Sequence, residues 1–375
     1  MRLAKILSAI VVSLCFSLPV FAFDTIASSA LVLDQSSGTV LLAKNDDRPV
    51  PPASMSKLMT LNMLFEALQD GRINLDTKFT VSKKASEKGG SKMFVKQGER
   101  VSVENLIRGI IVHSGNDACI VVAENLAGSE ADFARIMTAR ARKLDMNEST
   151  FANATGWPDP NHRMSARDLV ALANRLMTQF PEYYGYFQER NFTWAKITQN
   201  NRNQLLGLGI GADGLKTGHT SEAGYGLVGT ARQGDRRVIL MINGLQSSSE
   251  RTAEAERLMN WAFRQFAQET LIKAGKNVAQ ANVWLGKTKT VALEVADDIS
   301  ALVPYSARDD IKMTVTYDGP IQAPITKGAE LGVLNIDIPG LPSQNYPVFA
   351  AADVGAGGIL KRMRVSANKL MKAVN

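Results

Sequence analysis

The chain has only 2 cysteines and 3 histidines among 375 residues, and that scarcity removes whole classes of chemistry. Cys15 falls in an N-terminal apolar run, so Cys119 stands alone in the body of the protein and no intramolecular disulfide is expected. Cys119 lies in the apolar helical run Asp117-Ala118-Cys119-Ile120-Val121-Val122 with no evident basic partner, the setting of a buried, inert thiol. His113, His162 and His219 lack metal-ligand spacing, so neither a metal centre nor another cofactor is expected. Past the N-terminus no apolar run approaches the ~18 residues that would span a bilayer. What remains is ordinary for a globular protein: 45% hydrophobic and 21% charged residues exclude a disordered chain.

The formal net charge is +7, but little of it belongs to a folded face. Arg2 and Lys5 precede the apolar run Ile6 to Phe21, and Val20-Phe21-Ala22 supplies the small-residue end of an export signal cut after Ala22. Leu14 ahead of Cys15 argues against lipoprotein processing. Five further cations, Lys361, Arg362, Arg364, Lys369 and Lys372, lie beyond Gly355 with no Asp or Glu among them. The stretch from Phe23 to Gly355 is therefore balanced, and a nucleic-acid-binding face is not expected.

In that tail Ile359, Leu360, Met363, Ala367, Leu370, Met371 and Val374 recur at three- and four-residue intervals. An amphipathic helix over residues 356–375 with a purely cationic polar face suits a membrane interface. At about 1 kcal/mol per cation near anionic headgroups, it could hold a globular domain reversibly. Packing of the same helix on its own domain is the competing reading.

Residues 23–275 read as one domain. A hairpin spans Ser28 to Leu42, and helical periodicity runs from Ser54 to Leu68, Val103 to Val112, Asn116 to Leu126, Glu130 to Leu144 and Ala166 to Met177. Lys78 to Gln97, rich in Lys, Ser and Gly, reads as an exposed loop. A strand follows at Asp213 to Thr220, then a hairpin of Gly224 to Arg232 and Arg237 to Ile242, then a long helix over Glu250 to Leu271. Lys276 to Asp353 is Val/Thr/Ile-rich and punctuated by Gly and Pro, a separate small β domain at 276–353. Strands at both ends of the first domain with helices between them imply an α+β fold, an antiparallel sheet flanked by helices.

Chemistry concentrates in three short stretches. Ser54-Met55-Ser56-Lys57 opens a helix with a serine and a lysine on one face, where burial can turn the lysine into a base for the hydroxyl. Ser-x-x-Lys alone is weak, since Ser366 to Lys369 repeats it in the tail. Ser114-Gly115-Asn116 falls between two helices, and Lys216-Thr217-Gly218 falls on a strand and occurs once, against about a tenth of a chance match. Their order and context together make a strong signal.

With these motifs the chain resembles the penicillin-recognising serine peptidases, among them the low-molecular-mass penicillin-binding proteins that are D-alanyl-D-alanine carboxypeptidases. Arg108-Gly109-Ile110, Ser165-Ala166-Arg167-Asp168-Leu169 and Asn201-Arg202-Asn203 extend the likeness over nearly the whole chain. The resemblance implies a β-lactamase/DD-peptidase-like fold and a serine carboxypeptidase that removes the terminal D-alanine of peptidoglycan stem peptides and is acylated by β-lactams. It implies Ser54 as nucleophile, Lys57 as its base, Ser114 as proton relay, and Asn116 as holder of Lys57 and the substrate amide. Lys216, Thr217, Arg202 and Arg251 would bind the substrate carboxylate; Gly218 and His219 complete the strand motif, with Ser54 and His219 N–H groups as oxyanion hole. Without the resemblance, Arg202 and Arg251 would read as solvated surface charges.

It also implies a periplasmic location, peripheral to the inner membrane through the tail, and leaves a homodimer open. Phe151 to Pro158 holds no Glu-x-x-x-Asn element of the kind class A β-lactamases use for deacylation, so penicillin should inhibit rather than be consumed. One departure stands out: many relatives have His-Gly-Leu where this chain has Ala154-Thr155-Gly156-Trp157. A DD-endopeptidase acting on crosslinks and a non-catalytic wall-binding scaffold are the alternatives.

Overall fold

The computed structural model describes residues 23–358; the export signal and the amphipathic tail of the sequence reading lie outside the described residues, apart from Ala356 to Gly358. Five antiparallel strands form the central sheet in the order Thr39–Lys44, Ser29–Asp34, Arg236–Leu245, Gly224–Gln233, Ala212–Thr220. Both hairpins expected from the sequence are present, and the early and late strands of the first domain meet where Ser29–Asp34 pairs with Arg236–Leu245.

Side chains of a strand alternate between faces, and here both faces are buried. Leu31, Ile239 and Met241 point into a helical layer, while Ala30, Val32, Leu240 and Ile242 pack with Leu258, Met259 and Ala262 of the helix Ser248–Arg264. The strands are consequently apolar throughout rather than alternating. Asn116–Ala127 is the innermost helix, with every residue from Asn116 to Ala123 buried, and it stops at Gly128 in the left-handed conformation. Around it run Lys57–Gln69, Val103–Ile111 and Glu130–Lys143, while Ala166–Gln179 packs between Lys57–Gln69 and the sheet. Ser102, Ser129, Ser165 and Ser247 each cap a helix by accepting a backbone N–H three residues on.

Two local expectations need correction. The helix expected over Glu250 to Leu271 ends at Arg264; Phe266–Ile272 is a strand paired with Ile299–Pro304. Its exposure alternates and its partner lies far along the chain, so local helical pattern misassigned it. The β layer thus starts ahead of Lys276 and continues as a six-stranded sheet with its own apolar core, including Leu293, Leu334, Ile336 and Val348. The supposed loop Lys78 to Gln97 holds a strand, Lys78–Thr80, and a short helix, Lys83–Glu87. It is pinned to the core: Phe79, Val81, Met93 and Val95 are buried, and the buried Asp117 carboxylate accepts the N–H groups of Met93, Phe94 and Val95. That anchor is a single residue on a distant helix, which no local pattern reveals.

Candidate active site

Pro51-Pro52 ends the approach to the nucleophile turn, and Ala53 adopts a positive φ of 49° that turns the chain sharply into a 3-10 segment, Ala53–Ser56. The α-helix proper begins at Lys57, so Ser54 stands in the turn feeding the helix. This geometry presents Ser54 at the floor of a cleft of about 500 Å³, with Lys57 fully buried behind it.

Lys57 Nζ donates to Ser54 Oγ at 2.7 Å and to the backbone carbonyl of Thr155 at 2.7 Å. No carboxylate pairs with it among the described residues. Burial pushes its pKa down to about 8, and the cations Arg202 and Lys88 reinforce that against the opposing pull of Cys119 and Asp117. Cys119 itself is fully buried, as expected, and desolvation pushes its thiol up to about 12, which favours the protonated form.

The Thr155 carbonyl was not a sequence candidate, because a backbone atom leaves no residue signature. Its loop is rigidly built: Asn153 Oδ1 accepts the N–H groups of Thr155, Gly156 and Trp157, and Thr60 Oγ1 donates to the Ala154 carbonyl. Gly156 has φ +77°, and a Cβ there would lie 1.8 Å from the Ala53 carbonyl oxygen. The departure at Ala154-Thr155-Gly156-Trp157 therefore leaves intact what Lys57 uses, a main-chain oxygen and a glycine.

Ser114 also has a positive φ, 56°, and its buried hydroxyl has no hydrogen-bond partner among the described residues. An orphaned buried hydroxyl facing the cleft is a group waiting for a substrate atom. Asn116 is buried nearby, and its Nδ2 donates to the Gly89 carbonyl at 2.9 Å. The hydrogen bonds of Lys57 go to Ser54 and Thr155.

The opposite wall is the edge strand Ala212–Thr220. Lys216 is 2% exposed, donates to the Thr217 carbonyl at 3.2 Å, and is driven well below its ordinary pKa by burial and by the charges of Lys57 and Arg202. Thr217, Gly218 and His219 line the cleft, with the His219 ring stacked on Tyr225 at 3.9 Å. Gly218 permits the close approach of this strand to the nucleophile turn, since a Cβ would lie 2.8 Å from the Pro52 carbonyl oxygen. Arg251 is 5% exposed and donates to Ser248 Oγ; Arg202 donates to Ser91 Oγ. Arg251 is thus buried, contrary to the solvated-charge alternative, whereas Arg202 is exposed; among the described residues neither guanidinium pairs with a carboxylate, and no Asp or Glu lines the cleft. Arg202 and Arg251 on an acid-free cleft wall, with Lys216 buried behind it, make a site for an anion.

No group of three or more His, Cys, Asp or Glu among the described residues is placed to hold a metal. The acid nearest to the Thr155 loop in the hydrogen-bond network, Glu130, accepts the Ala154 N–H and pairs with Lys84.

Comparison with known proteins agrees with this geometry. Residues 19–247 match the family described as D-alanyl-D-alanine carboxypeptidase, and residues 266–356 match the C-terminal domain of penicillin-binding protein 5. The D-alanyl-D-alanine carboxypeptidase DacC of Escherichia coli is 36% identical over 345 residues, 90% of this chain and 86% of that protein. The crystal structure of D-alanyl-D-alanine carboxypeptidase DacD from Francisella tularensis superposes with a TM-score of 0.81 at 29% identity, covering 89% of this chain and 95% of that one. Penicillin-binding protein D2 of Listeria monocytogenes, solved in its ampicillin-bound form, gives 0.59 at 31% identity over 64% of this chain and 99% of that one. With the family match spanning residues 19–247 and a 36% identical relative covered almost end to end, the chain belongs to the D-alanyl-D-alanine carboxypeptidase family of serine peptidases.

Proposed function

We propose that this protein removes the terminal D-alanine from peptidoglycan stem peptides through an acyl-enzyme on Ser54. The observation that carries the reading is the buried, acid-free Lys57 held 2.7 Å from the Ser54 hydroxyl. As the free base, Lys57 takes the Ser54 proton while Oγ attacks the carbonyl between the two D-alanines. The N–H groups of Ser54 and His219 stabilise the oxyanion. Ser114 passes the proton to the departing amine, the peptide bond breaks, and D-alanine leaves. Water then hydrolyses the ester.

The substrate carboxylate is held by Lys216 and Thr217, with Arg251 and Arg202 beside them on the cleft wall. Its arrival also stabilises the charged form of Lys216, which burial alone disfavours. Asn116 is free to trade its Gly89 partner for the substrate amide. A β-lactam enters as a mimic of the acyl donor, and with no acid lining the cleft its ester persists. A crosslink-cutting endopeptidase is not favoured, because the relatives matched over 90% of this chain are carboxypeptidases.

Because the reaction needs neutral Lys57, kcat/KM for D-alanine release should climb about tenfold per pH unit below pH 8 and then turn over as Lys216, itself driven below its ordinary value, loses its charge. Release from a peptide ending in D-Ala-D-Ala, measured from pH 5 to pH 10, checks this; a rate already flat at pH 6 would contradict it.

We also place the enzyme on the periplasmic face of the inner membrane, held by the tail. No helix among the described residues is long and apolar enough to cross a membrane. Deleting residues 357–375 should release an active protein into the soluble fraction. Retention in the membrane fraction would refute the tail's role.

A further inference from the structure

His162 takes no part in the chemistry above, yet it is buried beside the groups that perform it. Its Nε2 lies 2.7 Å from Oγ of Ser56, the residue preceding Lys57, and its Nδ1 accepts the Ala152 N–H at 3.3 Å. A backbone N–H can only donate, so Nδ1 is bare and Nε2–H is the donor to Ser56. Phe151 meets the ring edge-on at 5.4 Å. Burial holds the imidazole neutral, down to about 4, with Lys57 and Arg163 opposing protonation and Asp159 favouring it. One neutral ring therefore bridges the nucleophile turn and the start of the loop that ends in the Thr155 carbonyl.

We propose that His162 is a positioning residue for acylation, tying the turn that carries Ser54 and Lys57 to the loop whose carbonyl grips Lys57. The inference rests on the reading of Ser54 as nucleophile and Lys57 as its base. The helix fixes one side of the Lys57 side chain and the Thr155 carbonyl fixes its tip. If the loop drifts, the ammonium loses that partner and water reaches it. Aim at Ser54 is then lost, and relaxed desolvation raises the lysine's proton affinity. The other groups that act on Lys57, namely Cys119, Asp117, Arg202, Lys88 and Lys216, stay in place when His162 changes. A shift of the pH profile therefore reports on the loop.

The test uses the full chain with His162→Ala, His162→Asn and His162→Gln, following D-alanine release against pH, the rate of labelled-penicillin attachment, and thermal melting. His162→Ala should slow both reactions by about tenfold or more, in line with a misplaced reacting pair, and move the rising pH limb upward. Asn can replace only the Nδ1 acceptor and should behave like Ala, whereas Gln can reach Ser56 and should recover part of the rate. A folded His162→Ala protein with wild-type rates and pH limb would overturn the proposal, whatever its melting temperature. If His162→Ala fails to fold, the comparison of Gln with Asn decides: Gln faster supports the tie, and equal rates overturn it. Retained release by Ser54→Ala would overturn both this proposal and the reading it rests on. Unaffected His162 variants beside an inactive Ser54→Ala protein would overturn this proposal alone.

Discussion

Ser54→Ala is expected to lower D-alanine release by at least about 1000-fold, the scale on which a covalent nucleophile's loss is felt. The fold should survive. Ser54 is only partly buried, and the Thr155 carbonyl still accepts from Lys57 when the hydroxyl is gone. A lysine already pushed down to about 8 can shed its proton rather than remain an unpaired buried charge. Release assays alongside thermal melting separate the two effects. Activity above a tenth of wild type would mean that another group attacks the substrate.

Gly156→Ala should be nearly as damaging, by a different route. An alanine there would adopt φ +77° and bring its Cβ to 1.8 Å from the Ala53 carbonyl oxygen, a backbone atom that cannot swing aside. Left-handed strain and overpacking each cost about 1–3 kcal/mol. The only relief is for the loop to withdraw from the nucleophile turn, and withdrawal takes the Thr155 carbonyl from Lys57 and re-aims Ser54. A drop in melting temperature together with a loss of acylation on the order of 100-fold is expected, measured by calorimetry and by penicillin attachment. The exposed Gly185, where a Cβ meets nothing within 4 Å, is the control: Gly185→Ala should leave acylation unchanged. A stable, fully active Gly156→Ala protein would show that the loop carbonyl is dispensable.

Much of this arrangement was legible because the reaction uses side chains in short runs. Ser54 and Lys57 share a helix face, Ser114 sits in a break between helices, and Lys216-Thr217-Gly218 follows a single strand, so each stretch carries its own signature. Hairpins closed by tight turns and helices such as Ala166–Gln179 were legible for the same local reason. What escaped the sequence is non-local or made of backbone. Phe266–Ile272 becomes a strand because Ile299–Pro304 pairs with it, and Met93 and Val95 are buried because Asp117 anchors their backbone. The Thr155 carbonyl carries no residue identity, and His162 matters through the two partners its ring joins. Arg202 and Arg251 looked like surface charges because nothing local reveals that Arg251 is buried or that both lack an acid.

The central claim, that Ser54 is the acylated nucleophile of a penicillin-sensitive carboxypeptidase, is tested most directly by mapping where a labelled penicillin attaches. The account predicts one covalent label per chain, on the peptide that contains Ser54, with D-alanine release lost in proportion to labelling. A label on another residue, or release that continues in fully labelled protein, would contradict it.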